Sequence, residues 1–146
     1  MNIVVDTNIL VRVLIAPDGL VADLYYPLKQ THTLFISNSS IEEINKHKQR
    51  LLRISGLKQH LFDSLLASLL SGVTIVPVTQ IPNSIFMKSF LFISGLDYDD
   101  APFVATALFV NGFLWTSDKE LFYGLKKKGF ELLYNNAGIK KLIKGN

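Results

Sequence analysis

The sequence predicts an α/β fold, a three-layer α/β/α sandwich with a central parallel sheet of about five strands. Three observations carry that prediction. Short runs rich in β-branched or aromatic residues alternate along the chain with longer segments of helical character. Most of the short runs are apolar throughout, as in strands covered on both faces. The 146 residues are 49% hydrophobic and 18% charged, enough to bury a sizeable core within one domain spanning 1–146.

The first strand is Ile3–Val5, and Asn8–Ala16 and Gly19–Gln30 read as the helices after it. Leu34–Ile36 is the second strand, followed by helices over Ser40–Ile54 and Leu57–Leu70. Thr74–Val78 is the third, and Pro77 marks it as short or at an edge, because proline cannot donate to a ladder. Ser84–Ile93, with Phe86, Phe90 and Phe92, reads as core or interface. Asp99–Val110 is a helix whose body from Ala101 onward carries no charge on any face, so it is expected to be buried. Pro102 is tolerated in its first turn. Phe113–Thr116, the helix Lys119–Lys128 and the strand Phe130–Tyr134 complete the set, with Glu131 marking another edge.

Composition removes several classes of function. There is no cysteine, so a disulfide scaffold, a zinc ribbon and a cysteine nucleophile are excluded. The net charge of +3 permits an anionic partner without demanding one. The longest uncharged stretch, Ser64–Met87, is interrupted by polar residues and prolines and makes a poor membrane span. Met1-Asn2 leads directly into the first strand with no basic region before it, so a cytoplasmic protein without signal peptide is expected.

In open parallel sheets, ligands bind beyond the carboxyl ends of the strands. Asp6 follows the first strand directly, and Asp118 lies two residues past the fourth. Each alone reads as a helix N-cap. The segment Asp97-Tyr98-Asp99-Asp100 places three acids in four residues before a buried helix, more than capping explains. On the helix after the second strand, Ile41, Ile44 and Leu51 define the core face at about 100° per residue. Glu43 lies near the edge of that face and is the candidate for a partly buried acid, whereas Glu42 points almost opposite, to solvent. If Asp6, Glu43, Asp100 and Asp118 converge at one rim, like charges raise one another's pKa and a divalent cation relieves the conflict. Hard oxygen donors without cysteine or a histidine cluster favour Mg²⁺ or Mn²⁺, ions that act on phosphates.

These residues resemble the PIN-domain metal-dependent nucleases, a family that includes toxin ribonucleases of toxin–antitoxin pairs. Val4-Val5-Asp6-Thr7-Asn8-Ile9-Leu10 is similar to the family's opening motif, and Ile36-Ser37 with Glu43-Ile44 to its second. Asp100-Ala101-Pro102-Phe103-Val104-Ala105-Thr106-Ala107-Leu108 resembles the third, although Pro102 and Phe103 replace smaller aliphatics. Trp115-Thr116-Ser117-Asp118-Lys119 resembles the closing element. The match runs from Asn2 to about Phe130 in family order. The doublet Glu42-Glu43 leaves the second ligand open by one position, and Asp97, Asp99 and Asp100 leave the third open, with Asp100 preferred by alignment to the alanine-rich helix.

The resemblance implies a PIN-like, Rossmann-like sandwich and a Mg²⁺-dependent endonuclease acting most often on RNA. Asp6, Glu43, Asp100 and Asp118 would hold one or two metals that activate water for attack on the phosphodiester. Thr7, Asn8 and Thr116 would orient water or carboxylates. An antitoxin and a homodimer are the expected protein partners, because the apolar fraction is high for so small a chain.

Lys46, His47 and Arg50 share a helical face with Glu43 and are candidates for phosphate contacts, against the plainer reading of a solvated amphipathic helix. Lys126–Lys128 and Lys140, Lys141 and Lys144 read as solvated helix ends. His32, His47 and His60 have no metal-ligand spacing. Tyr98 is a weak candidate for stacking on a base, and Trp115 reads as core. A haloacid-type phosphatase would need a second aspartate where Asn8 stands, and a phospho-receiver domain an acid pair where Asp6 stands alone. A catalytically silent RNA-binding or assembly module is the remaining alternative, disfavoured by the presence of all four acids.

Overall fold

The computed structural model describes residues 1–145. One sheet holds five parallel strands: β1 (Asn2–Val5), β2 (Thr33–Ser37), β3 (Thr74–Val76), β4 (Phe113–Trp115) and β5 (Leu133–Tyr134). Their order is β3-β2-β1-β4-β5, so β1 is central and the two short strands lie at the edges. Pro77 stops β3 after three residues, and Glu131 and Leu132 lie exposed outside β5, which keeps only two residues.

Side chains alternate between the two faces, as pleating requires. Ile3, Val5, Leu34, Ile36 and Trp115 point into one core, packed by α1 (Thr7–Ile15), α2 (Leu20–Thr31), α4 (Lys48–Ser55) and α5 (Gln59–Leu70). Val4, Leu114 and Leu133 point into the other, packed by α6 (Asn83–Ile93), α7 (Ala101–Phe109) and α8 (Lys119–Lys127). α3 (Asn38–Lys46) and α9 (Asn136–Lys144) complete the first layer through Ile44 and Ile139. Trp115 and Tyr25 stack within that core at 6.4 Å.

Three expectations are corrected. The helix expected over Ser40–Ile54 is two, α3 and α4, broken at His47, whose backbone (φ −103°, ψ 12°) leaves the helical region. No glycine or proline announces that break. Ser84–Ile93, read only as core or interface, lies in helix α6. Lys140, Lys141 and Lys144, read as a solvated helix end, do lie exposed on a helix, α9. The helix expected from Asp99 is preceded by a 3₁₀ turn, Tyr98–Asp100, and starts at Ala101. α7 is buried as its lack of charge requires, with Ala101 and Phe103–Ala107 all in the core.

The strand order reverses between β1 and β4. α1, leaving β1, packs on one face of the sheet, and α8, leaving β4, packs on the other. The loops part at that point and open a crevice at the carboxyl rim. Among the described residues no helix is long and apolar enough to cross a membrane.

Candidate metal centre

The crevice is a cleft of about 520 Å³, lined by Asp6, Glu43, Asp97, Asp100 and Asp118 with Arg12, His47 and Arg50. Asp6 is 4% exposed at the end of β1. Although it occupies the N-cap of α1, its side chain makes no cap hydrogen bond. It accepts instead from Thr116 Oγ1 at 2.6 Å, across the switch point. Burial pushes its carboxyl from 3.8 up to about 6. The Thr116 hydroxyl pulls the other way, and Glu43 adds to the rise. Asp100, at the start of α7, makes no cap hydrogen bond either. Burial first, and then Asp6, Asp97, Asp118 and Glu43, push it up to about 7.

Asp118 is different. One of its oxygens caps α8 by accepting from Leu121 N–H at 3.1 Å, so the plain N-cap reading holds for that oxygen. Asp97 likewise turns one oxygen to the N–H of Asp99 at 2.9 Å. Glu43, expected to be partly buried, is exposed on α3. Its place in the site rests on lining the cleft and on its field at Asp6 and Asp100. Glu42 and Asp99 line a neighbouring depression and do not reach the cleft. Of the weaker candidates, only Asp97 is brought in.

Among the described residues the sole ion pair is Lys48 with Asp63, at 2.6 Å between α4 and α5. Arg12, His47 and Arg50 thus line the same cleft without forming an ion pair with any of its acids. Asp6 is buried and Asp100 half-buried, whereas Glu43, Asp97 and Asp118 are exposed at the rim. Uncompensated carboxylates held out of water, as Asp6 and Asp100 are, are costly, and the hard-oxygen donor set suits Mg²⁺ or Mn²⁺. The acids line a shared cleft without forming a finished cage: among the described residues no three stand within common reach of one ion. A bound cation would draw the side chains together, with exposed Glu43 the freest to move.

The sequence of the chain matches the PIN domain family over residues 4–136. The chain belongs to the PIN-domain family. Among solved structures it is similar to a chain of VapBC2 from Rickettsia felis, crystallised bound to a DNA fragment from their promoter. The TM-score is 0.69 at 18% identity, covering 92% of this chain and 98% of that one, a likeness of fold. A search of curated proteins finds no match.

In this PIN domain the polar residues around the acids form two hydrogen-bonded sets. Thr116 Oγ1, buried, donates to Asp6, accepts from Asp118 N–H at 3.1 Å and lies 3.3 Å from Asn8 Nδ2. Asn8 Oδ1 accepts from Ser117 N–H at 3.3 Å, tying α1 to the loop after β4. Thr7 Oγ1 meets Ser40 Oγ at 2.7 Å, anchoring α1 to the helix that carries Glu43. Thr7, Asn8 and Thr116 therefore hold the elements that present the acids. Of the expected phosphate contacts, His47 and Arg50 line the cleft, whereas Lys46 lines only the neighbouring depression with Tyr98. Arg12 and Ser40 were missed as site residues. The signal for Arg12 is its spacing, one helical turn beyond Asn8 on the same face.

Proposed function

We propose that this PIN domain is a divalent-metal-dependent endoribonuclease, acting as the toxin of a toxin–antitoxin pair. The observation that carries the reading is the meeting of five carboxylates from four separate parts of the chain in one cleft without a paired cation. Asp6, Glu43, Asp100 and Asp118 are the proposed ligands of Mg²⁺ or Mn²⁺, with Asp97 as a fifth acid beside them. When bound, the ion would supply charge stabilisation at the phosphate and a lowered pKa for the attacking water.

The chain's own residues do the rest. Thr116 orients the Asp6 carboxylate through a 2.6 Å hydrogen bond, and Asn8 fixes the loop that carries Asp118. Arg12, His47 and Arg50, which line the same cleft, attract the RNA backbone and position its phosphates. Asp6 and Asp100 take up protons below about 6 and 7, so ion binding displaces those protons and strengthens as pH rises. RNA as substrate, an antitoxin as partner and a homodimer as assembly all belong to this proposal, the first two by analogy with the family.

The test is RNA cleavage with Mg²⁺, with EDTA, and by Asp6→Asn. Cleavage is expected only for the wild type with the ion. Cleavage that survives both treatments removes the metal-centre reading, and RNA binding with no cleavage under any condition favours a silent binding module.

A further inference from the structure

A second cavity, of about 180 Å³, adjoins the acid cleft at Asp118, which lines both. Its walls include Ser117, Lys119 and Tyr123 from the β4–α8 side and Asn136 from the start of α9. At ~30 Å³ per liquid water it has room for about six waters, the scale of one flat heterocycle rather than a folded strand.

The side chain of Asn136 has a fixed orientation. The indole N–H of fully buried Trp115 is a donor only, and it meets the Asn136 side chain at 2.9 Å, so the atom it meets must be the amide oxygen. Ser117 Oγ donates to the same oxygen at 3.1 Å. With its oxygen held twice from within the fold, the amide presents its NH₂ group away from those contacts. Among the described residues that group has no hydrogen-bond partner. Tyr123 is 57% exposed and offers an aromatic face beside it. Lys119 is exposed and makes no ion pair among the described residues.

We infer that this cavity receives a nucleobase of the bound RNA strand, next to the phosphate in the acid cleft, and that Asn136 reads that base. The inference rests on the nuclease reading for its biological setting, and its chemistry is separable. An amide that presents only donors selects a base edge with adjacent acceptors, O6 and N7 of guanine or O2 and N3 of cytosine. Tyr123 supplies sequence-tolerant stacking, and Lys119 meets the flanking phosphate. Asn136 is thereby a specificity-determining residue.

The experiment is a titration of the metal-free protein with each of the four nucleoside 5′-monophosphates. The readout is the indole N–H resonance of Trp115, the chain's single tryptophan, which touches Asn136 directly. Guanosine and cytidine monophosphates are expected to shift it saturably, binding at least about fivefold more tightly than the adenosine and uridine counterparts. Asn136→Asp keeps the acceptor for Trp115 and exchanges the donors for an acceptor, so the preference is expected to be lost or reversed. Tyr123→Ala, at an exposed position, is expected to weaken all four by about fivefold or more. No shift with any nucleotide, or equal binding of all four, overturns the inference. Cut-site profiling on a random-sequence RNA separates it from the nuclease reading. Base-selective shifts without cleavage leave the pocket standing and sink the nuclease. Cleavage with neither a shift nor a guanine or cytosine preference beside the cut does the reverse.

Discussion

Replacing Asp6 with asparagine is expected to stabilise the metal-free protein. Its folded carboxyl stands at about 6 against an ordinary 3.8. The folded state therefore holds the proton more tightly than the unfolded chain does. The stability this contributes is complete below pH 4 and is lost as pH rises through 6. At about 1.4 kcal/mol per pH unit, ionised Asp6 costs the fold about 3 kcal/mol at pH 8. Asparagine mimics the protonated acid, and its oxygen can still accept from Thr116 Oγ1. Asp6→Asn should then gain up to about 3 kcal/mol at pH 8, roughly 6–12 °C in Tm for a chain of this size. The gain should shrink towards zero near pH 4. Urea and thermal melts in EDTA, followed by the fluorescence of buried Trp115, measure it directly. Mn²⁺ should then raise the stability of the wild type and leave the variant nearly unmoved. A variant no more stable than wild type at pH 8, or one whose gain is as large at pH 4, refutes the reasoning that burial and crowding of charge define this cleft.

Other perturbations separate the parts of the site. Thr116→Val removes the hydroxyl that donates to Asp6 and accepts from the Asp118 N–H. Cleavage and Mn²⁺ affinity should fall about 10- to 100-fold, with Thr116→Ser restoring most of both. Equal activity of the two variants would remove Thr116 from the network. Arg12→Ala should weaken RNA binding about equally for all sequences and lower the slope of log K against log salt by about 1, read by anisotropy over a KCl series. An unchanged slope would take Arg12 off the phosphate path. Gly112→Ala places a Cβ 2.7 Å from the Asn2 carbonyl oxygen, between β4 and β1. It should cost about 1–3 kcal/mol in urea melts, and an unmoved midpoint would show that β1 and β4 are not so closely apposed.

The two strand-end positions were legible in the sequence because parallel strands leave their chemistry at one rim. Asp6 and Asp118 follow apolar runs that can only be buried strands, and α7 is identified by ten residues without a charge. Periodicity was less informative at Glu43. Its angular position relative to Ile41 and Ile44 suggested partial burial, but the helix ends at His47 and leaves Glu43 exposed on the rim. The break itself has no signature in residue type, because tertiary packing sets it. One arginine on a largely apolar helix looks like a solvated residue, and it is the packing of α1 against α4 that brings Arg12 to the edge of the cleft. Asn136 was invisible for a similar reason. Its role depends on a hydrogen bond to Trp115, twenty-one residues away, which pairs the end of β4 with the start of a helix and leaves no local pattern in the sequence.

The central claim is that folding draws these carboxylates around one divalent ion. Anomalous diffraction from a crystal soaked in Mn²⁺ addresses it without reference to activity. A manganese peak bonded to oxygens of Asp6 and Asp100, with Asp118 or Glu43 completing the shell, is the predicted result. A crystal at saturating Mn²⁺ with no peak in the cleft, or with the ion bound elsewhere, would contradict it.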